Sequence, residues 1–544
     1  MIEKEPQYPM DSHENPIKNG VKFLFEYDVK GRDMAVLLCD LGKVTARSSE
    51  IGINSTGIQS LFHQINAYSS SALCDIADIS RTGESGTLSI SPEGYVSGDK
   101  KLTSPSEYDL LGFSIVNVNQ TFDFLEVLEA SGIPMFSDER DEKSPLVVVG
   151  GASAINPMPL GLFADIIIMG QGEEAILQCT EVMAKGKREG KSKSEILEGI
   201  KIIEGVYVPS AVGEKIDFAE IDYKNDKYPP GSIMVMDGKA SIIISRSCPY
   251  ECAFCRLSSS QHYQKKSYQQ IMQHLSLLQA AGAKEVAIVS ASASAWRSGD
   301  MNINDIIKAT QELGMTPKSL ADRPEQIGFG NQNSVVLAPE TSPKLRKEVL
   351  NKSIKEEALR EAVVKALTIG VNKFTFYGIL GIKGETEEDL GYFNELAAFT
   401  LYQAELVGAT PPTIEFNVMP LMPSPHTQLE TFPMVSWDDF RAKIEKLNEA
   451  VPNQEQVKFY THLSELDYYL EAILNRGTIA EGRLCFDAYR HAKHHEVSYL
   501  QALKEVIVEK DINIEDYLQA REIAQLPYKG IVQPTQKRKP RSQS

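Results

Sequence analysis

The sequence predicts an α/β protein made of two successive alternating segments and a mainly helical end. Three observations predict it. Short apolar runs alternate with helical stretches from Val21 to about Val212, the alternation resumes at Ser241, and helical periodicity takes over from Pro420.

In the first segment, apolar runs at 34–39, 110–116, 146–149 and 166–169 read as buried parallel strands, with helical stretches at about 56–68, 120–130 and 157–164. Two runs end in glycine, one in Gly150-Gly151 and the other in Gly170-Gln171-Gly172-Glu173-Glu174. Glycines at the carboxyl ends of parallel strands let a ligand approach the backbone, and open sheets bind ligands there. A tight strand-to-helix turn accounts for them equally well. The polar stretch 216–238, with Tyr228-Pro229-Pro230-Gly231, reads as a linker.

The second segment opens with a strand at 241–244 and continues through strands at 286–289, near Ser319, and at 335–337, 374–380 and 413–418. Helices between them fall at 268–281, 303–313, 343–350, 355–367 and 387–401. Six strands alternating with helices fit a partial (β/α)6 barrel, whose chemistry belongs at the strands' carboxyl ends. Past the rigid turn Pro423-Ser424-Pro425-His426-Thr427, helices are expected at 437–451, 463–476, 482–492, 497–508 and 515–524. The expected division is therefore a loose tail (1–20), a Rossmann-like parallel sheet (21–215), a linker (216–238), a partial barrel (239–425), a helical region (426–528) and a disordered tail (529–544).

Composition narrows the class. The chain is 42% hydrophobic and 24% charged, ordinary for a globular protein, and 544 residues exceed one core. A formal charge of −18 disfavours wholesale binding to nucleic acid or anionic lipid. Lys537, Arg538, Lys539 and Arg541 make the last segment basic, a solvated tail first and an electrostatic contact second. No run is long and apolar enough for a membrane span, and the first twenty residues lack the apolar region of a secretory signal.

Seven cysteines occur, three of them in Cys248-Pro249-Tyr250-Glu251-Cys252-Ala253-Phe254-Cys255. Three thiolates on one short loop can hold an iron–sulfur cluster and leave one iron open, whereas electron-carrying clusters take four cysteines. The alternative is a structural zinc site with His262 as fourth ligand, although no second ligand pair lies nearby. Cys39, Cys74, Cys179 and Cys485 stand singly and read as buried small hydrophobes; without a paired framework they imply a reducing, cytoplasmic compartment. His491, His494 and His495 fall at helical spacing and read as a solvated face, with metal chelation second.

The C-x3-C-x2-C loop, with Phe254 before its third cysteine, resembles the radical S-adenosylmethionine (SAM) superfamily. Two further stretches resemble the same group in order and spacing: Ala338-Pro339-Glu340-Thr341-Ser342-Pro343-Lys344-Leu345-Arg346, and Gly378-Ile379-Leu380-Gly381-Ile382-Lys383-Gly384-Glu385. The first segment resembles the cobalamin-binding-type domain preceding many radical SAM cores, through Tyr108–Ser114, Val149-Gly150-Gly151 and Gly170–Glu174. It departs in lacking D-x-H-x-x-G; Asp11-Ser12-His13 carries only the first half.

The resemblance implies a [4Fe–4S] cluster held by Cys248, Cys252 and Cys255, with SAM chelated at the open iron and cleaved to a 5′-deoxyadenosyl radical. It implies that Glu340 bonds the ribose or the methionine ammonium, that Arg346 meets a carboxylate, and that Gly378 and Gly381 lie along adenine. Where the family carries a G-G-E-like stretch this chain reads Ser290-Ala291-Ser292, so Ser290 and Ser292 become the expected ammonium contacts. Gly150, Gly151 and Gly172 would border cobalamin if it binds. The implied reaction is methylation of an unactivated carbon when cobalamin is present, and oxidation, rearrangement or cyclisation when it is not. A small-molecule, lipid or peptide substrate and an electron donor such as flavodoxin or ferredoxin are the implied partners. A non-catalytic zinc- or cluster-bearing interaction protein on a decayed fold is the reading from a different class.

Overall fold

The computed structural model describes residues 21–42, 55–82, 87–95, 102–211, 215–318, 333–451 and 453–532. The tail 1–20, with Asp11 and His13, and the basic residues 537–541 lie outside them.

Continuous apolar runs form the first sheet, as buried parallel strands require. Its seven strands stand in the order Thr87–Pro92, Ala72–Thr82, Met34–Cys39, Leu110–Ser114, Leu146–Gly150, Ile166–Ile168 and Val206–Tyr207. The two outermost strands are antiparallel and the five between are parallel. Numbered along the chain, the parallel strands run 2-1-3-4-5, the doubly wound order whose ligands bind where the winding reverses. Helices Thr56–Tyr68 and Gly172–Arg188 cover one face, Gln120–Ala130 the other.

The second segment forms two parallel half-sheets. Lys239–Ile243, Glu285–Val289 and Thr316–Lys318 make one, and Ser334–Glu340, Lys373–Leu380, Thr413–Pro420 and Val457–Tyr460 the other. The six expected barrel strands are present, and Val457–Tyr460 is a seventh between two expected helices. Strand Val21–Phe23 pairs antiparallel with Met234–Met236 at the edge of the first half-sheet, not with the Rossmann-like sheet. The stretch 216–238 is likewise more than a polar linker: Tyr223 is fully buried, and Ala219 makes a bridge to Gly170.

One hydrophobic core runs through both segments, joining Val36, Ile58 and Phe62 to Ile242, Ile271 and Trp296. The C-terminal helices Glu465–Arg476, Ile479–His495 and Tyr499–Glu509 do not stand apart. Leu474, Leu484, Ala488 and Leu503 share a core with Leu37, Leu111 and Val147, so these helices cover the far face of the first sheet. Phe122 stacks on Tyr499 at 4.5 Å between ring centres, and Phe136 meets Phe486 at 4.7 Å. Among the described residues no helix is long and apolar enough to cross a membrane.

Candidate active site

The cysteine segment leaves the carboxyl end of the first barrel strand through the short strand Ser245–Arg246 and then Ser247, whose φ of +58° is strained for a residue with a Cβ. Cys248, Cys252 and Cys255 are all half-buried. The turn 350–352 braces the loop on both sides of Cys252: Ala253 N donates to Leu350 O (2.8 Å), and Asn351 Nδ2 to Glu251 O (2.8 Å). Ala253 packs with Leu345, Leu350, Ile379 and Leu421, and Phe254 leans on the same cluster. Phe254 therefore holds the loop by packing against the barrel.

Burial pushes the Cys252 thiol up to about 11; Lys352 opposes the rise, and Cys255 and Cys248 add to it. The thiols thus feel one another across the loop. His262, the fourth ligand of the zinc alternative, turns Nδ1 to Glu220 at 2.7 Å. Among the described residues no three His, Cys, Asp or Glu side chains converge on a single ion. A cluster places each thiolate on a different iron and so asks for wider spacing than one zinc. The other cysteines, Cys39, Cys74, Cys179 and Cys485, are buried in the two large cores.

Glu340 ends the fourth barrel strand with φ +64°, opposite Gly378 across a register shift. Its carboxylate pairs with Lys352 Nζ at 2.5 Å, both side chains nearly buried. In the sequence Asn351-Lys352 follows the Ala338–Arg346 stretch without a role assigned to it; the structure places it in the turn that grips the cysteine loop. Ser290 Oγ lies 2.6 Å from Ser245 Oγ and accepts from Ser292 N at 3.2 Å; Ser292 Oγ lies 3.1 Å from Ser294 Oγ. The serine stretch thus closes on itself beside the strand that leads to Cys248.

Three expected site residues also have partners within the protein. Arg346 offers no open fork: it is buried and bonds Pro339 O (2.7 Å), Thr341 O (2.9 Å), Tyr392 Oη (2.7 Å) and Glu356 (3.2 Å). The carboxylate it meets belongs to Glu356. A Cβ on Gly378 would come within 2.9 Å of the Phe393 ring, so that glycine makes room for a core side chain. At Gly381, with φ +75°, a Cβ would strike Val435.

The glycines of the first segment line a cavity of about 310 Å³ at the carboxyl edge of its sheet, bordered by Gly112, Gly150, Gly151, Gly170 and Gly172. At Gly151 (φ +104°) a Cβ would sit 2.5 Å from Ile115 O, so the neighbouring strand end crowds this turn. Opposite the sheet, the wall is Ile243, Arg246, Ser247 and Gln261, the two ends of the cysteine segment. The cavity therefore faces both the first sheet and the cysteine loop. Arg246 reaches across to Glu173 Oε1 at 2.5 Å, and Gln171 Nε2 reaches Gln261 at 3.4 Å. Beyond the loop, Arg256 bonds Ala152 O (3.3 Å) and Glu471 (3.1 Å), tying the segment to the first sheet and a C-terminal helix.

Residues 57–209 match the family model described as the N-terminal region of radical SAM proteins, and residues 242–397 match that of the radical SAM superfamily. Together they take in more than half of the chain. The chain belongs to the radical SAM superfamily. Members of that superfamily use a [4Fe–4S] cluster and SAM, and the cysteine loop lies inside the second match. An uncharacterized protein of Methanocaldococcus jannaschii is 26% identical over 315 residues, which is 55% of this chain and 65%, just under two thirds, of that relative. Among solved structures, the radical SAM methyltransferase TsrM from Kitasatospora setae, with cobalamin and a [4Fe–4S] cluster bound, aligns at 11% identity and TM-score 0.48, covering 88% of this chain and all of that one. The cobalamin-dependent SAM radical enzyme OxsB aligns at 12% identity and TM-score 0.48, covering 90% and 71%.

The residues of this radical SAM family member fit the cluster: three half-buried thiols on one braced loop, with Lys352 as a nearby cation and no fourth cysteine in the loop. The fit to cobalamin is partial. Glycines open the sheet edge where the winding reverses, but the cavity, at about 310 Å³, is at the small end for a ligand pocket. Among the described residues no histidine lines it.

Proposed function

We propose that Cys248, Cys252 and Cys255 ligate the cluster, and that the cavity beside them binds cobalamin for methylation of an unactivated carbon. The observation that carries this is the shared wall: Arg246 and Ser247, the residues leading into Cys248, also close the cavity at the first sheet's carboxyl edge. When bound, the cluster supplies the electron that opens SAM, chemistry that belongs to the cofactor. The protein's part is to hold and shield. Glu340, fixed by Lys352, presents a buried carboxylate at a barrel-strand end, suited to an ammonium or a ribose hydroxyl. The Ser290–Ser292 backbone and hydroxyls offer further acceptors. The substrate is a small molecule, lipid or peptide carbon entering at the barrel mouth, with flavodoxin or ferredoxin as electron donor.

The modest size of the cavity, about 310 Å³, favours a second reading, cobalamin-independent radical chemistry on the same barrel. One experiment separates the two. The protein is reconstituted anaerobically with iron, sulfide and hydroxocobalamin, desalted, and incubated with SAM and a strong reductant. About four irons per chain, retained corrinoid absorbance and 5′-deoxyadenosine that disappears in Cys252→Ala are expected. Full iron and 5′-deoxyadenosine without retained corrinoid favours the second reading. Zinc in place of iron defeats both.

A further inference from the structure

We propose that Ser247 is a positioning residue for the cluster site, its hydroxyl clasping the two ends of the cysteine loop so that the three thiols keep one spacing. The inference rests on the reading of Cys248, Cys252 and Cys255 as cluster ligands.

Ser247 stands in a backbone conformation that its own side chain opposes. A φ of +58° lies in the left-handed region, where glycine sits without penalty and asparagine with little. A serine held there costs free energy that its surroundings must outweigh, and such residues gather at functional sites. Ser247 is not an exposed turn tip either, being 6% exposed. What glycine would lack is the hydroxyl, and here the hydroxyl is engaged. Ser247 Oγ donates to Leu257 O or Gln261 O, each 2.9 Å away.

These contacts finish a closure that the backbone begins. Ser245–Arg246 pairs antiparallel with Gln264–Lys265, which brings the two arms of the cysteine segment together. That ladder ends well short of Cys255 and leaves the chain between Cys255 and Gln264 to be held by other means. Ser247, the next residue inward, supplies them. It directly precedes Cys248, and Leu257 lies just beyond Cys255 in the short helix Arg256–Ser260. The hydroxyl therefore joins the chain before the first thiol to the chain after the third, with all three ligands inside the ring. The other bonds of the loop act elsewhere. Ala253 N and Asn351 Nδ2 fasten its middle to the turn 350–352, and Ser259 Oγ bonds Cys255 O (2.9 Å) on the carboxyl side alone. A ligand set ordered in advance loses less freedom when the metal arrives, and must break its clasp before it lets the metal go.

The variants Ser247→Ala and Ser247→Gly separate the hydroxyl from the backbone. Both remove the clasp, but alanine keeps the strain at positive φ and glycine relieves it. Each protein is reconstituted anaerobically with iron and sulfide, and the rate at which bathophenanthroline disulfonate strips the iron is followed by absorbance. The Tm of the cluster-free protein is measured beside it. Iron release is expected to rise about fivefold or more in both variants, the worth of one hydrogen bond at about 1.4 kcal/mol per tenfold. The cluster-free Tm of Ser247→Gly is expected at or above that of Ser247→Ala, so that loss of iron does not follow loss of fold. Electron paramagnetic resonance of the reduced, loaded protein is expected to show broadened g values in both, a change in ligand geometry that a merely weakened fold does not produce. Wild-type iron release in either variant overturns the proposal: in Ser247→Gly it assigns the effect to strain, and in Ser247→Ala to chain flexibility. A resonance spectrum unchanged in both overturns it as well. A wild type that takes up no iron overturns instead the reading of the cysteines, and is recognised before any variant is compared.

Discussion

Replacing Arg346 by methionine distinguishes a structural arginine from a cofactor-binding one. The guanidinium pairs with Glu356 with its own side chain 1% exposed, so removing it leaves a largely buried carboxylate with Arg360, at 2.9 Å, as its remaining counter-charge. Breaking a buried pair from one side costs about 3–5 kcal/mol, and the retained Arg360 holds the loss to about 3 kcal/mol. The loss of the bond to Thr341 O adds about 1 kcal/mol. A total of about 4 kcal/mol is a large share of ordinary stability. For a chain of 544 residues melting as one unit, the unfolding entropy converts this to a fall in Tm of about 3–4 °C. Differential scanning calorimetry on the cluster-loaded enzyme reads the fall, and a SAM titration of the same sample reads affinity. The expected outcome is a lower Tm with SAM affinity nearly unchanged in the folded protein. An unchanged Tm with a tenfold or greater loss of SAM binding would refute the structural assignment.

Two other perturbations follow from the same geometry. Gly151→Ala forces a Cβ against the Ile115 backbone at positive φ and should cost at least about 2 kcal/mol, whereas Gly172→Ala meets only ordinary contacts at 3.5 Å and should be neutral or slightly stabilising; urea melts of both decide it. Burial lowers the pKa of His274 to about 4 and that of His63, with His274 adding to the effect, to about 3. The unfolded chain then binds protons that the folded one does not as pH drops below about 6.5, so stability is full above that pH and falls towards pH 4, by up to roughly 1.4 kcal/mol per pH unit per histidine. Urea midpoints at pH 7.5, 6 and 5 should show the decline, and His274→Gln should flatten it; a flat wild-type profile would mean the seam between the two segments does not hold these rings neutral.

Much of the fold was legible because its buried strands are short, apolar and continuous. Met34–Cys39 and the helices Thr56–Tyr68 and Gln120–Ala130 appear where the periodicity put them. Ala72–Thr82 escaped because Asp75 and Asp78 interrupt the apolar run; Asp75 is nevertheless buried, accepting from the backbone of Gly94 (2.7 Å) and Tyr95 (3.1 Å). Val457–Tyr460 escaped because four residues are too few to show a period. At the site, the three cysteines announce themselves by spacing alone. Arg246, Lys352 and Arg256 do not, because a single cation in sequence looks the same whether it meets water or bridges two domains. Arg346 shows the converse: its motif suggested a ligand contact, and tertiary packing turned it inward.

The helical end also bears on how the chain is made. The first sheet is complete once Tyr207 has been synthesised, but the layer that closes its far face ends only at Glu509. At ordinary elongation rates the ribosome needs roughly 15 to 60 s to cover that distance. Through that interval Leu111, Val147 and their neighbours lack the side chains that finally cover them, so vectorial synthesis delivers an N-terminal domain that cannot mature first. Fusing the segment 465–509 ahead of residue 21 by circular permutation would reverse the order, and should reduce the chain's dependence on holding chaperones during expression.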